Sequence, residues 1–547
     1  MGEIVTIERM GFGPEAVAHL ESGKAVFVEG GAPGDVLAIE LTEEKHSFAR
    51  ARIVEVKEPS ACRVAPTWAE PSSQGVAPWQ HLAYETQLAA KTDNVVAALS
   101  RTAGFGDERA AALVRPCLGS KRQWGYRNKI ELGAAFDAAG MFQLGFHDEG
   151  CQDVVASATC PVAYKQIERA PKALRGALRF AQGADDLGIF RVGVRHSVRT
   201  HSTEVALWTT PAAFPRGHVA NILKGSFKAT SIVRVLADPG RARKIKGVEV
   251  LDGKGFWEEK LLGFTFRVAA PSFFQVNTAQ AEKLIGEVIR GLGGEVGDEG
   301  PVGLDEMLIA DLYSGGGTFS IPLAAAGADV IAVESAGSSV RDLRRNADAN
   351  GVDIEIIGGD AARELPELGE LDALVVDPPR AGLADGVVES IAAARPERVA
   401  YVSCNPATWA RDVARFEENG YKLLYAQPVD LFPQTYHVET VAVLTREKSV
   451  KSYAYVNISP SELGMGGKVK KPTYKQIQEY VLKNHGLKVS SLYIANLKDE
   501  LGLDKQFSYE EAEMSAEKRP KCPPEKREAI LDAFRHFGLI GEGETEK

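Results

Sequence analysis

The sequence predicts a multidomain α/β protein whose largest unit is a doubly wound, mainly parallel sheet. Between residues 266 and 446, near-continuous apolar strands alternate with amphipathic helices, which is the pattern of a sheet covered by helices on both faces. The first 58 residues instead contain short β-rich runs between glycine and proline turns, a pattern typical of a small barrel. The length of 547 residues allows about three or four domains at roughly 150 residues each.

Residues 1–58 predict an OB-like β-barrel, and residues 59–265 predict a central α+β domain. The central part opens with a proline-containing loop and a helix over residues 81–99, and much of its sheet is expected to be antiparallel. The strand candidates are EIVTIERM, KAVFVEG, DVLAIELTE and FARARIVEVKE in the barrel, and NKIELGAAF, FQLGFH, GVRHSVRTH, TEVALWTT and SIVRVLA in the central domain.

The doubly wound domain, residues 266–446, is followed by a predicted linker over 447–470 and a predicted helical extension over 471–547. In the extension, Thr473 and Gln476 form a capping box at the start of a helix, and Gly486 is placed to end it. Two further helical runs follow, SSLYIANLKDELG and PPEKREAILDAFRHFG.

The composition indicates an ordinary cytoplasmic protein. Apolar and charged residues make up 44% and 25% of the chain, and no apolar run approaches the roughly 20 residues that span a bilayer, so no membrane partner is expected. The net charge of -10 disfavours indiscriminate nucleic-acid binding but permits a local basic surface. The six cysteines include no CxxC pair, so neither a zinc site nor a disulfide framework is indicated, and a reducing compartment is expected.

A glycine-rich turn, residues 315–317, lies between a predicted strand and a predicted helix. Glycines let the backbone turn sharply and approach a ligand closely. Alone, the turn could hold NAD, another nucleotide or nothing. Asp311 precedes the turn, Glu334 ends the next strand, where a carboxylate can bind ribose hydroxyls, and Asp360 ends the following strand. This layout indicates S-adenosyl-L-methionine as the cofactor.

Three short segments downstream contain reactive groups. Asp377 precedes two prolines in VVDPPRAG (375–382), Cys404 ends the strand of VAYVSCNPATWARD (399–412), and Glu439 lies in FPQTYHVETVAVL (432–444). A helix start after Cys404 is expected to lower the pKa of its thiol, and the thiolate is the nucleophilic form. Taken singly, Cys404 is also typical of a core, Glu439 of a solvated surface and Asp377 of a turn. The order of the three residues after the glycine turn favours one shared site.

These segments resemble the RNA 5-methyluridine methyltransferase family, and the resemblance extends over residues 1–446. It implies that the first 58 residues are a TRAM barrel and that residues 266–446 are a Rossmann-like methyltransferase domain. It further implies methylation of carbon 5 of a looped uridine in transfer or ribosomal RNA. The matching segments are SFFQVN (272–277), DLYSGGGTFS (311–320), DPPRAG (377–382), SCNP (403–406) and HVET (437–440).

The resemblance assigns roles residue by residue. Cys404 would be the nucleophile that adds to carbon 6 of uracil, and Glu439 the general base that removes the carbon-5 proton. The rings of Phe273, Phe274 and Tyr436 are candidates for stacking on RNA or adenine, or for simple packing. The implied contacts with S-adenosyl-L-methionine are Gln275, Tyr313, Thr318 (often asparagine in the family), Glu334, Asp360 and Asp377.

The chain departs from the family at an iron–sulfur site. Many members hold a cluster with four cysteines, three of which precede the QHL segment. Here that stretch, PTWAEPSSQGVAPWQHL, contains no cysteine, and only Cys160 matches the fourth position. A four-cysteine cluster needs four thiolates, so no metal is predicted.

Two other interpretations remain open from the sequence. The first is a methyltransferase that acts on another nucleobase or on a small molecule. The second is a non-catalytic RNA-binding or RNA-folding protein that retains the scaffold, although the intact Cys404 and Glu439 disfavour it. Nothing in the sequence requires more than a monomer.

Overall fold

The computed structural model describes residues 3–147, 153–183, 185–240, 244–447, 472, 474–487, 489, 491–501, 503 and 522–541. The predicted linker over 447–470 lies almost entirely outside the described residues, as does Thr473 of the predicted capping box. Gly486 has a φ of +67° directly after a helix that ends at His485, which is the left-handed geometry expected of a C-cap.

The N-terminal segment forms one six-stranded sheet. Its strands are β1 (Glu3–Thr6), β2 (Arg9–Met10), β3 (Glu15–His19), β4 (Ala25–Glu29), β5 (Val36–Glu44) and β6 (Phe48–Glu58). They are hydrogen-bonded in the order β1-β5-β6-β4-β3-β2. Alternate residues are buried along β4 and the first half of β5, because successive side chains of a strand point to opposite faces. Trp79 and Leu82 complete this core from the segment that follows.

The central sheet has seven strands and is antiparallel except for one neighbouring pair. The elements are β7 (Lys129–Phe136), β8 (Phe142–His147), β9 (Val154–Ala156), α3 (Ala170–Gln182), β10 (Ile189–His196), β11 (Thr203–Thr209), α4 (Arg216–Ser226), β12 (Ser231–Leu236) and β13 (Gly247–Gly253). The order is β13-β12-β11-β10-β7-β8-β9, and only β11 and β12 run parallel. The predicted antiparallel α+β character is therefore observed.

Two helices precede the central sheet but pack elsewhere. The helix predicted over 81–99 is α1 (Tyr84–Arg101), and α2 (Asp107–Leu113) follows it. Val95 and Leu99 of α1 belong to the apolar core of the C-terminal sheet. The proposed boundaries at residues 58, 265 and 446 stay a prediction, and these contacts join the region after residue 59 to the last domain.

The C-terminal domain is a doubly wound sheet. A hairpin of β14 (Trp257–Leu261) and β15 (Phe264–Val268) leads into it, and β16 (Glu295–Gly297) pairs with β17 (Gly300–Val302). The remaining elements are α5 (Thr278–Leu292), β18 (Leu308–Leu312), α6 (Ser320–Ala325), β19 (Asp329–Glu334), α7 (Gly337–Asn350), β20 (Glu355–Gly358), α8 (Ala361–Glu364), β21 (Ala373–Val376), α9 (Val387–Ala394), β22 (Arg398–Ser403), α10 (Pro406–Glu418), β23 (Tyr421–Val429) and β24 (Glu439–Arg446).

The strand order of this sheet locates the candidate site. The order is β20-β19-β18-β21-β22-β24-β23, with β24 antiparallel to both of its neighbours. The central strands β18 and β21 are buried along their whole length, as expected for a sheet covered on both faces. The chain leaves β18 in one direction and returns on its other side at β21. Ligands bind at the carboxyl ends of strands beside such a reversal.

Three helices are described in the C-terminal extension: α11 (Tyr474–His485), α12 (Ser491–Glu500) and α13 (Pro524–His536). Apolar residues on one side of these helices, among them Ile477, Val481, Ile530 and Phe534, are buried, whereas Leu482 is exposed. The helical character predicted for this region is therefore observed in its described parts.

Candidate active site

The glycine-rich turn lies directly after β18, where the strand order reverses. Gly315 and Gly317 have φ of +57° and +92°. A side chain at Gly317 would be strained at this φ, and its Cβ atom would lie 2.5 Å from Leu343 Cδ1 of α7, which would have to move. Tyr313 has a φ of +62° although it is not glycine, and proteins retain such backbone mainly at functional sites.

Two buried side-chain oxygens have no donor among the described residues. One belongs to Asp311, which precedes the turn, and the other to Gln275, on the segment before α5. Asp311 Oδ2 accepts a hydrogen bond from Ser320 Oγ at 2.5 Å, whereas Asp311 Oδ1 and Gln275 Oε1 have no partner among the described residues. Burial and then the nearby Glu334 raise the pKa of Asp311 to about 7, although Ser320 opposes the rise. Buried acceptors without donors are costly, so both oxygens fit a ligand that brings N–H groups.

The other predicted cofactor residues lie around the same turn. Glu334 ends β19 and accepts a hydrogen bond from the backbone N–H of Gly315 at 2.9 Å. Asp360 is exposed and caps α8. Burial and then the charge of Asp360 raise the pKa of Tyr313, which places these two groups within electrostatic reach. Thr318 is half-buried on the turn itself.

The candidate nucleophile, Cys404, follows β22, and Asn405 caps the helix that comes next. Burial, followed by the charge of Glu439, raises the pKa of the half-buried Cys404 thiol to about 11. The expectation of a lowered pKa at this helix start is therefore wrong. Loss of hydration and a neighbouring carboxylate outweigh the small favourable effect of a helix N-terminus.

The carboxylates of the site influence one another. Glu439 is buried at the start of β24, and burial, then the charge of Asp377, raise its pKa well above the usual range. Burial, then the charge of Asp311, raise the pKa of Asp377 to about 7. The structure therefore brings Asp311, Asp377, Glu439 and Cys404 into one electrostatically coupled group. Buried like charges cannot all ionise together, so this group favours a cationic ligand.

The charge of Arg380 also influences this group of titratable side chains. The sequence did not indicate Arg380 as a site residue. Its charge opposes the burial that raises the pKa of Cys404 and of Glu439. The Arg380 carbonyl accepts hydrogen bonds from Asn405 Nδ2 (3.2 Å) and Thr408 Oγ1 (3.1 Å), which tie the DPPRAG loop to the turn that holds Cys404. No spacing rule marks Arg380, but its place inside the matching DPPRAG motif is a usable signal.

The segment before β24 is held by α1. Lys91 Nζ donates to Asp430 Oδ1 at 2.5 Å, and Tyr84 OH donates to Asp430 Oδ2 at 2.7 Å. The backbone N–H of Gln434, a residue with φ of +70°, donates to Gln87 Oε1 at 2.9 Å. These contacts have no signal in the sequence, because Lys91 and Asp430 are 339 positions apart.

A cavity of about 470 Å³ adjoins this segment, and His437 lies in its wall. Arg127, Lys129 and Glu131 also line it. Lys129 and Glu131 occupy alternate positions at the start of β7 and therefore share one face of the strand, and Arg127 precedes the strand by two positions. Phe273 lines the same cavity with 66% of its surface exposed. Burial is the main cause that lowers the pKa of His437 to about 3, so its ring is neutral at physiological pH. The cavity thus combines an exposed aromatic ring with two cations, of which Lys129 is paired with Glu131 at 2.8 Å.

The three aromatic candidates for stacking differ in their surroundings. Phe274 is buried and packs edge-on against Trp257, with ring centroids 5.5 Å apart, so it is a core residue. Tyr436 lines the cavity and also contacts Phe12 of the barrel, with centroids 6.0 Å apart. Phe273 is the exposed ring of the three.

Cys160 lies in an apolar core rather than in a cluster of thiols. It is fully buried among residues that include Trp68, Val76 and Ala77, and burial raises its pKa to about 12. Cys62 belongs to the barrel core instead. Over the described residues, no group of three or more His, Cys, Asp or Glu side chains is arranged to hold a metal ion. That no cluster is present stays a prediction.

Comparison with known proteins identifies the family. The family model for tRNA (uracil-5-)-methyltransferases matches residues 258–447, and the model for TRAM domains matches residues 4–54. An uncharacterized RNA methyltransferase of Gloeobacter violaceus is 35% identical over 462 residues, which cover 81% of this chain and 97% of that protein. This chain belongs to the RNA (uracil-5-)-methyltransferase family. A second uncharacterized RNA methyltransferase, from Enterococcus faecalis, is 32% identical, and the match covers 96% of that protein.

A solved structure of a family member is similar over most of the chain. The tRNA (uracil-54, C5)-methyltransferase of Pyrococcus abyssi, determined in complex with S-adenosyl-L-homocysteine, has a TM-score of 0.62 and 27% identity. The match covers 80% of this chain and 99% of that one. The predicted RNA (uracil-5-)-methyltransferase class, the TRAM domain and the methyltransferase fold are therefore confirmed. Among the described helices, none is long and apolar enough to cross a bilayer.

Proposed function

We propose that this RNA (uracil-5-)-methyltransferase methylates carbon 5 of a looped uridine in ribosomal or transfer RNA through a covalent bond between Cys404 and carbon 6. The observation that supports this most directly is the proximity of Cys404, just after β22, to Glu439 at the start of β24, whose charge raises the pKa of the Cys404 thiol. A nucleophile and a base in one site are what this substitution needs. The chain is proposed to act as a monomer in the cytoplasm.

The cofactor is S-adenosyl-L-methionine, which supplies the methyl group when it is bound. Its positive sulfonium suits a group of buried carboxylates, and its ammonium suits Asp311 Oδ1 and Gln275 Oε1, two buried acceptors with no donor among the described residues. Glu334, at the end of β19, suits the ribose hydroxyls. The residues proposed to hold the cofactor are Gln275, Tyr313, Thr318, Glu334, Asp360 and Asp377.

The proposed chemistry uses Cys404 and Glu439 in turn. Carbon 5 of uracil is a poor nucleophile, so the Cys404 thiolate first adds to carbon 6, and the electron pair of the 5,6 double bond moves toward oxygen 4. Carbon 5 of this enolate is nucleophilic and accepts the methyl group. The Glu439 carboxylate then takes the proton from carbon 5, the double bond forms again and the Cys404 thiolate leaves. A raised pKa makes Glu439 a stronger base than an exposed carboxylate, which suits this proton transfer.

The RNA is proposed to enter through the cavity beside His437. Arg127 and Lys129 suit a phosphate group, and the exposed ring of Phe273 suits a stacked base; cations with aromatic rings are the usual combination for unpaired RNA. The target base must leave its stack to reach Cys404. This costs least in a loop, which favours a looped uridine.

The proposal is tested by trapping the covalent intermediate. Purified protein is mixed with S-adenosyl-L-methionine and RNA in which 5-fluorouridine replaces uridine, and denaturing gels are examined for a protein–RNA band. Fluorine cannot leave carbon 5 as a proton does, so the adduct should persist. We expect a band that requires both the cofactor and Cys404: Cys404→Ala abolishes it, whereas Cys62→Ala, a half-buried cysteine of the barrel, retains it. Sequencing the trapped RNA then identifies the uridine.

Two outcomes would favour the other interpretations. A protein that binds S-adenosyl-L-homocysteine but forms no band would act on another nucleobase or substrate, and nucleoside analysis of the RNA would show which one. A protein that binds RNA and gives no methylated nucleoside would be a non-catalytic RNA-binding protein.

A further inference from the structure

One edge of β15 is bonded to a helix instead of a strand. The backbone N–H groups of Thr265 and Arg267 donate to the side-chain oxygens of Asn350 (2.8 Å) and Asn346 (2.7 Å), and that of Ala269, just beyond the strand, donates to Asp342 (2.8 Å). These N–H groups occupy the alternate positions that point away from the partner strand β14. The three acceptors are spaced four residues apart along α7, and we call them the α7 ladder.

The spacing of the two elements explains why this arrangement works. Two residues of a strand advance about 6.6 Å, and four residues of a helix advance about 6.0 Å. Side chains at positions 350, 346 and 342 are therefore spaced to match the N–H groups at positions 265, 267 and 269, respectively. The α7 ladder satisfies a strand edge that would otherwise be left unpaired, and it fixes the position of β15 along the helix.

Asn346 is the member of the α7 ladder that also contacts the glycine turn. While its Oδ1 accepts from the Arg267 N–H, its Nδ2 donates to the carbonyl of Gly316 at 3.0 Å. The side chain is fully buried. One amide group therefore joins the glycine turn to the strand that leads toward Gln275.

The segment between β15 and Gln275 is also held by a residue of the central domain. Arg195, which is buried at the end of β10, donates to the carbonyl of Ala269 at 3.0 Å and to that of Ser272 at 2.5 Å. Arg195 of the central domain and Asp342 of α7 thus both form hydrogen bonds with the backbone of Ala269. Gln275, whose side-chain oxygen has no donor among the described residues, follows Ser272 by three positions. Asn128 Nδ2 also donates to the Gln275 carbonyl at 2.9 Å, so the place of Gln275 relative to the glycine turn depends on all of these contacts together.

We infer that Asn346 is a positioning residue for the cofactor: it holds the glycine turn and the segment that ends at Gln275 in one fixed relation. The inference rests on the proposed function, in which the turn and Gln275 bind S-adenosyl-L-methionine from two sides. Asn346 does not touch the cofactor. Its loss lets the two walls of the site move independently, which weakens cofactor binding.

The test compares two matched substitutions in the full-length protein. Asn346→Asp keeps the oxygen that accepts from Arg267 but replaces the donor to Gly316 with a second oxygen. Asn350→Asp makes the same change on the last member of the α7 ladder, whose Nδ2 donates to the carbonyls of Thr265 and Asn346 and not to the glycine turn. Calorimetry measures the Kd of S-adenosyl-L-homocysteine, and steady-state kinetics separates kcat from the two KM values.

We expect Asn346→Asp to raise the Kd of S-adenosyl-L-homocysteine about 10- to 100-fold, the scale of one lost buried hydrogen bond with a charge left unpaired. The KM for the cofactor should rise with it. Asn350→Asp should change the cofactor Kd less than about threefold. Equal losses of cofactor affinity in both variants would overturn the inference, because they would mean that the α7 ladder only stabilises the fold.

Two controls keep the result interpretable. Thermal unfolding shows whether both variants fold; if Asn346→Asp does not, Asn346→Ser, which keeps a small polar group, takes its place with the same expected rise in Kd. Failure of the wild-type protein to bind S-adenosyl-L-homocysteine would contradict the proposed function. Wild-type binding with no effect of either position-346 variant would contradict only the role of Asn346.

Discussion

The buried ion pair between Lys91 and Asp430 can be used to test how the segment that precedes Glu439, residues 430–438, is held in place. Both side chains are 0% exposed, and their charged atoms are 2.5 Å apart. Lys91 also donates to the carbonyl of Phe432 at 3.1 Å, and the N–H of Phe432 donates to Asp430 at 3.1 Å. The ion pair and these two hydrogen bonds therefore fix the start of the segment, residues 430–438, that leads to Glu439.

Lys91→Met keeps most of the side-chain volume and removes the charge. Asp430 would then be a buried carboxylate whose remaining hydrogen-bond donors among the described residues are Tyr84 and the N–H of Phe432. Removing one member of a buried pair costs about 3–5 kcal/mol, most of which is the penalty of the charge left behind. The double variant Lys91→Met with Asp430→Asn removes that charge, so it should recover more than half of the loss. Lys57→Met, in a surface pair with Glu55 at 2.6 Å, should cost less than about 1 kcal/mol.

Hydrogen exchange of the peptide that covers residues 430–438 measures the effect locally, which suits a chain of several domains. A loss of about 3 kcal/mol accelerates exchange of its protected amides roughly 150-fold, at about 1.4 kcal/mol for each factor of ten. Turnover should fall as well, because Glu439 follows this segment directly. Exchange within about threefold of wild type in Lys91→Met would refute the reasoning, as would a double variant that is worse than the single one.

The remaining predictions concern the reactive groups. Glu439→Gln should lower turnover about 10²- to 10⁴-fold and should let a covalent protein–RNA adduct accumulate on ordinary uridine, visible on denaturing gels; low turnover without an adduct would contradict the assignment of Glu439 to proton removal after methyl transfer. Arg380→Gln removes a cation that opposes the rise in the pKa of Cys404, so that pKa should rise further above about 11, and less thiolate should be present at any lower pH. Because Arg380 is exposed and screened, alkylation of Cys404 at pH 8 should slow only about three- to tenfold, with an unchanged rate arguing against the electrostatic role.

The sequence determined the elements whose causes are local. The apolar runs of β18 and β21 predict strands buried on both faces, and the glycines at 315–317 predict a sharp turn after the first of them, because these features depend on side chains a few positions apart. The motifs around Cys404 and Glu439 were sufficient to indicate the family, which the comparisons confirm. The roles of these two residues stay predictions.

Only the tertiary structure decided features that depend on distance through space. Phe273 and Phe274 are neighbours in the same motif, yet one is exposed beside a cavity and the other is buried against Trp257. The pKa of Cys404 is raised although a helix start follows it, because burial and Glu439, which belongs to another strand, dominate.

The same reason applies to the supports of the site. Lys91 meets Asp430 across 339 positions of chain, and Asn346 joins β15 to the glycine turn from a helix that shows only an ordinary amphipathic pattern. Charge–charge energies and desolvation depend on the distance between groups and on their exposure. Neither quantity exists for a residue until the chain has folded, so composition, periodicity and motif spacing predict which groups are available, and tertiary packing decides what each of them does.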